Sequence, residues 1–244
     1  MSRDGFRKNW FKNWFGKEYT EVYAHRDEQD ALDLVQLILK HVPLSKKSKI
    51  LDAGCGNGRH ACALAEYSEC VFGIDLSLFL LKQARENCHF KIVQGDIRAL
   101  PFKQTFDALL SLFTSFGYFF SDEENFAVLK QFRQVLKPDG WFFFDFLNAR
   151  YVRKHLTEKS VRSLPGKKII EQRTIIGKRV EKTITIVQGN TVQNFFESVR
   201  LYDQQELLSM VRKAGFDILK VMGNYQGQSF HRSSPRLILL AKKR

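Results

Sequence analysis

The chain has 244 residues, of which 44% are apolar and 27% charged, a composition that can bury a core and excludes extended disorder. No run approaches the roughly 18–20 apolar residues of a membrane span, and the charges of MSRDGFRKNW interrupt the stretch that a secretory signal needs. Lys and Arg exceed Asp and Glu by 13, but residues 149–200 alone hold twelve Lys/Arg against four Asp/Glu, so most of the excess belongs to one segment.

In chain order, residues 28–42 carry apolar groups at 31, 34, 35, 38, 39 and 42, a helical stripe stopped by Pro43. Short apolar runs then alternate with helical patterns. Lys49–Asp52 runs into a glycine cluster and a helix through about Tyr67, and Cys70–Asp75 precedes a helix capped by Ser77. Phe90–Gln94 and Phe106–Phe113 are further strands, and Ser121-Asp-Glu-Glu124 is a capping box ahead of a helix that Pro138-Asp-Gly140 closes. Trp141–Leu147 is a strand interrupted only by Asp145. Strands apolar on both faces, alternating with helices, predict a parallel sheet covered on both sides, hence an α/β, doubly wound fold. From Lys167 to Leu201 the pattern changes to three strand-like runs with turns at Gly177 and Gly189-Asn190, which predicts an inserted antiparallel meander. A helix from Asp203 and the strands Phe216–Met222 and Arg236–Ala241 complete the chain. Cys55, Cys62, Cys70 and Cys88 form neither a disulfide framework nor a zinc site, a usage that fits a reducing, cytoplasmic setting.

The most informative stretch is Leu51-Asp-Ala-Gly-Cys-Gly-Asn-Gly-Arg-His60, with three glycines between a strand and a helix N-terminus. Gly56-Asn-Gly58-Arg-His-Ala61 satisfies the dinucleotide pattern GxGxxA with Asp75 downstream, so a nicotinamide dehydrogenase competes at this point. Asp52 separates the two readings. A carboxylate before the first glycine would repel a pyrophosphate, whereas it favours a ligand bearing an ammonium and a sulfonium. Asp75 and Asp96 end the next two strands on the same side of the sheet, one suited to ribose hydroxyls and the other to an adenine amino group.

Asp52-Ala-Gly-Cys-Gly-Asn-Gly58, Gly73-Ile-Asp-Leu-Ser77, Gly95-Asp-Ile97, Phe106-Asp107 and Leu136-Lys-Pro-Asp-Gly140 resemble, in order and spacing, the motifs of class I S-adenosylmethionine-dependent methyltransferases. The resemblance covers about residues 46–147. It implies a seven-stranded Rossmann-like sheet with a C-terminal antiparallel hairpin, S-adenosylmethionine as cofactor and no metal. It further implies that Gly54, Gly56 and Gly58 form the cofactor loop, that Asp75 with Leu76 holds the ribose, and that Asp96 with Ile97 holds the adenine. Leu112 and Phe113 fall where the family contacts the methionine end. The aromatic N-terminal segment is similar to caps of small-molecule members, which puts Tyr19 and Arg26 at the methionine carboxylate. The other reading of that segment is an amphipathic helix docked on the sheet.

The expected organisation is a cap over residues 1–45, a Rossmann-like domain over 46–148 and 201–244, and a basic β lid over 149–200. Ser111-Leu-Phe-Thr-Ser-Phe-Gly-Tyr-Phe-Phe120 replaces the polar motif of exocyclic base methylation and walls a pocket with aromatics. Tyr118, His25, His60 and His231 are the candidate bases, with Asn148 as a positioning group, and none stands out as catalytic. A small-molecule acceptor, anionic if the insertion's charge faces it, is the first expectation. RNA or protein on a basic platform is the alternative, and it is weakened because strand alternation spreads the charge over both faces.

Overall fold

The structure is a computed structural model that describes residues 9–24 and 28–244. It begins with two short helices, α1 (Trp10–Trp14) and α2 (Lys17–Val22), then α3 (Glu28–His41). The Rossmann-like part follows as β1 (Ile50–Ala53), α4 (Arg59–Ala65), β2 (Val71–Asp75), α5 (Leu78–Asn87), β3 (Lys91–Gln94), β4 (Phe106–Ser111), α6 (Asp122–Val135) and β5 (Leu136–Leu147). The insertion comprises α7 (Ala149–Lys154), β6 (Lys159–Leu164), β7 (Lys167–Ile176), β8 (Arg179–Gln188) and β9 (Thr191–Arg200). The chain returns through α8 (Gln204–Lys213), β10 (Phe216–Met222) and β11 (Arg236–Lys243).

Seven strands form one sheet in the order β10-β11-β5-β4-β1-β2-β3. β1 through β5 run parallel, while β11 pairs antiparallel with both β5 and β10. The expected sheet and terminal hairpin are present. All four residues of β1 are buried, and Phe142, Phe143, Phe144 and Phe146 of β5 are fully inaccessible, because helices cover both faces. The strand order reverses between β1 and β4, and the crevice at their C-terminal ends is the ligand side of such a sheet. Among the described residues no helix is long and apolar enough to cross a membrane.

The structure departs from the sequence reading in three places. β5 starts at Leu136 rather than Trp141, since Leu136 already pairs with Phe106 and the Pro138-Asp-Gly140 turn is absorbed as an irregularity within the pairing. The insertion has four antiparallel strands in the order β6-β7-β8-β9, preceded by α7. Its first strand, KSVRSL, carries too few apolar residues to announce itself. The cysteines are not four thiols: Cys62 of α4 and Cys88, the C-cap of α5, are joined in a disulfide with Cα atoms 5.8 Å apart. Their helices follow neighbouring strands, a proximity that 26 residues of sequence separation conceal.

Candidate functional site

The glycine turn after β1 is built for close approach. Gly54, Gly56 and Gly58 all have positive φ, at 82°, 56° and 81°. A Cβ on Gly54 would lie 2.7 Å from the Ser115 Cβ, so the turn packs directly on the loop that follows β4. Ser115 Oγ fastens the two by donating to the Gly54 carbonyl at 3.1 Å. Beneath the turn, the Asp52 side chain is buried and its Oδ2 has no hydrogen-bond partner among the described residues. Burial and the neighbouring Asp75 push the Asp52 carboxyl up to about 7, against the pull of Arg59. An orphaned buried carboxyl oxygen is costly in isolation, and a ligand ammonium or sulfonium would relieve it. The site therefore fits S-adenosylmethionine by its own chemistry.

Asp75 accepts from Gly56 N–H at 2.9 Å and from Ser77 N–H at 2.8 Å. Burial raises its pKa, opposed by those backbone donors. Asp96 is gripped by Arg98, whose Nη2 donates to Oδ2 at 2.7 Å and whose Nε contacts both oxygens, while Nη1 reaches Glu124 at 2.9 Å. Burial raises the Asp96 pKa, but the bonds and charge of Arg98 outweigh it and hold the carboxylate below its ordinary value.

These groups open on a cavity of about 1170 Å³. Its far wall is the face of the insertion bearing Arg173, Val180, Lys182, Glu197 and Val199, and its roof is α1 and α2 with Trp10, Phe15, Tyr19 and Tyr23. Roof and wall are tied together. Glu197 accepts from Trp14 Nε1 at 2.5 Å and Tyr23 OH at 2.7 Å, and pairs with Lys182 at 2.8 Å. Trp14 also packs on Phe195 with ring centroids 4.6 Å apart. The roof reaches the cofactor side as well, because Ser77 Oγ donates to the Phe15 carbonyl at 2.5 Å.

Of the residues singled out from sequence, Tyr19, Gly54, Gly56, Asp75, Leu76, Asp96, Ile97, Leu112 and Phe113 line this one cavity. Asp52 lies under the glycine turn and Gly58 caps α4, both behind the wall, and Arg26 and His25 fall outside the described residues. Among the candidate bases Tyr118 and His60 line the cavity. Burial, aided by Arg59, lowers His60 to about 3, so it is a neutral and feeble base. Asn148 instead caps α7 and binds the Arg232 and Ser234 carbonyls, and His231 does not line the cavity. The clamping residues Arg98, Lys182, Glu197 and Arg236 escaped the sequence reading; Lys182, Glu197 and Arg236 act through partners distant in the chain, and Arg98 through Asp96, which was read only for its ligand. Asp145 alone left a trace, as the single acid in the Trp141–Leu147 stretch.

A protein-family model described as a methyltransferase domain matches residues 50–140. Over 218 residues the chain is 30% identical to the cypemycin N-terminal methyltransferase of a Streptomyces species, covering 86% of this chain and 89% of that protein. It is 33% identical over 144 residues to the dTDP-3-amino-3,6-dideoxy-alpha-D-glucopyranose N,N-dimethyltransferase of Streptomyces fradiae, covering 56% and 52% of the two chains. The fold superposes on the CcbJ methyltransferase from Streptomyces caelestis with a TM-score of 0.80 at 19% identity, over 95% of this chain and 98% of that one. The dinucleotide reading of the glycine turn gives way to these likenesses. With its glycine turn, three strand-end acids and sheet order in register with them, the chain belongs to the class I S-adenosylmethionine-dependent methyltransferases.

Proposed function

We propose that this enzyme methylates the nitrogen of a small-molecule amine in the cavity between the Rossmann-like domain (46–148 with 201–244), the cap (1–45) and the lid (149–200). The observation that carries the reading is the cavity's construction. Its acceptor half is roofed and walled by aromatics and by ion pairs already satisfied within the protein, which suits a small guest. The two curated relatives, one acting on a peptide N-terminus and the other on an amino sugar by their names, supply the choice of nitrogen.

In this reading Gly54, Gly56 and Gly58 admit the cofactor, Asp75 and Leu76 hold its ribose, and Asp96 and Ile97 its adenine. Tyr19, Arg26, Leu112 and Phe113 serve the methionine end, where Asp52 supplies the negative charge. The cofactor, when bound, provides a methyl group on a sulfonium for in-line displacement by the acceptor lone pair. The protein's work is alignment and exclusion of water, which the aromatic roof supplies. His60 is too weak a base to take the proton, so the acceptor enters as the free amine.

Calorimetry with S-adenosylhomocysteine and with NAD tests the cofactor side. Micromolar-range binding of the former and none of the latter is expected. Asp75→Ala removes charge-assisted hydrogen bonds worth about 1.5–3 kcal/mol and should weaken binding by about tenfold or more with the fold intact. A labelled-methyl screen tests the acceptor. Label in a small-amine fraction supports the reading, whereas label only in RNA or protein overturns it.

A further inference from the structure

Asp145, in the second half of β5, organises a second cluster through the turn that leads into Ser115 and the glycine loop. Asp145 has no exposed side-chain surface and is flanked in its strand by Phe142, Phe143, Phe144 and Phe146. Its Oδ1 accepts from Arg236 Nε at 2.8 Å. Its Oδ2 accepts from Tyr225 OH at 3.0 Å and from Phe113 N–H at 2.9 Å. Its carbonyl accepts from Thr114 N–H at 3.2 Å. Phe113 and Thr114 are held at φ 51° and 68°, two consecutive non-glycine residues in the left-handed region. Each such residue costs roughly 1–3 kcal/mol and persists only where its surroundings impose it. Here Asp145 imposes it.

The outcome is a fixed donor edge. Arg236, with its side chain 19% exposed, lines the cavity beside Phe113 and Thr114. Its Nη2 donates to Thr114 Oγ1 at 2.9 Å, while its Nη1 has no hydrogen-bond partner among the described residues. Since Oγ1 already accepts from a cation, the Thr114 hydroxyl has its own hydrogen left to donate. Two donors are therefore offered to one guest, with the guanidinium 5.7 Å from the Phe113 ring centre and Arg59 on the same ring at 4.8 Å.

Sheet order says which guest. Cofactor-loop, ribose and adenine groups stand at the ends of β1, β2 and β3, whereas Arg236 opens β11, three strands from β1. Its guanidinium reaches back to Thr114, which follows β4 next to β1, so the donor edge stands beside the residues assigned to the methionine end and clear of the ribose and adenine groups at β2 and β3. We propose that Arg236, clamped by Asp145 and Tyr225, is a specificity-determining residue that binds, together with Thr114, an oxygen of the acceptor next to its amine. Acceptors with a carbonyl or hydroxyl on the carbon adjoining the amine carbon are then preferred. Asp145 and Tyr225 are positioning residues that act through Arg236 and through the turn. The nearby guanidinium also disfavours protonation of the docked amine, consistent with a site that lacks a strong base.

This rests on the amine reading above, and the test keeps the two apart. Alaninamide and isopropylamine, which share a branched primary amine but differ in the neighbouring carbonyl, are compared by kcat/KM in wild type, Arg236→Met and Arg236→Lys. The ratio of the two substrates is read between enzymes, so the difference in amine basicity cancels. The preference for alaninamide should fall at least tenfold in Arg236→Met, with partial recovery in Arg236→Lys. Asp145→Asn should lower it in the same direction. S-adenosylhomocysteine affinity, measured by calorimetry, should stay within about twofold in both Arg236 variants. An unchanged ratio in a folded Arg236→Met, or a matching loss of S-adenosylhomocysteine affinity, rejects the proposal and leaves the amine reading standing. If wild type methylates neither amine, the amine reading and this proposal both fail.

Discussion

Asp52 is a carboxyl group that loses its proton near neutrality because it is buried beside Asp75, and this has two measurable signs. Its folded value of about 7 lies above the ordinary carboxylate value, so between the two the folded protein keeps a proton that the unfolded chain has released. Stability without cofactor must therefore fall as pH rises through that window. The raised Asp75 acts in the same sense. A ligand ammonium reverses the preference by favouring the carboxylate, so S-adenosylhomocysteine, which carries one, should bind more tightly as pH climbs toward 7 and level off above it. Thermal midpoints and calorimetry across pH 5–8 read both effects, and Asp52→Asn should flatten both. The position of Asp52 was legible in the sequence, since its place before the glycines fixes it at the end of a strand. Its orphaned oxygen was not, because that depends on what packs around it from β2 and α4.

At the scale of elements, the Cys62–Cys88 bond ties the helix behind the glycine turn to the end of the helix behind Asp75. Closing a loop of this size stabilises a protein by about 2–4 kcal/mol, which in a chain of this length corresponds to a fall of roughly 4–8 °C in Tm on reduction. Thiol titration of the denatured protein should find two free cysteines, Cys55 and Cys70, without reductant and four with it. Four in both conditions would refute the bond. Local pattern made the sheet and its helices legible, because a 3.6-residue or two-residue rhythm needs only neighbours in sequence. The β6 strand and the disulfide escaped for the opposite reason. The half-buried Ser160 and Arg162 alternate with exposed groups, and β6 is a strand only because β7 pairs with it.

Over the whole molecule, seven of the twelve cations of residues 149–200 serve as internal mortar. Lys167 pairs with Glu21, Arg173 and Lys182 with Glu171, Lys178 and Arg200 with Glu206. Arg162 reaches the Val22 carbonyl, and Arg179 is buried against backbone carbonyls. Alternation along β7 puts Glu171 and Arg173 on one face, and there they pair. The exposed Arg150, Arg153, Lys154, Lys159 and Lys168 are spread over α7, β6 and β7 rather than along one strand. Binding to single-stranded RNA should thus be weak, with a log affinity against log salt slope shallower than about −2, at roughly −0.7 per phosphate, and should vanish by physiological salt. Tight binding with a steep slope would restore RNA as the acceptor.

Arg179 stands on the face of β8 opposite Val180 and Lys182, yet its guanidinium donates to the carbonyls of Gly117, Tyr118 and Phe119 at 3.3, 3.1 and 2.8 Å. Those residues continue the loop whose inner turn Asp145 holds, and Tyr118 and Phe119 form part of the cavity wall. The loop is thus gripped at both ends by side chains that no guest needs to touch. In evolutionary terms, acceptor preference has a heritable handle outside the contact surface. Substitutions at Arg179 or its neighbours in the insertion therefore reach the cavity wall while every residue of the glycine turn stays the same.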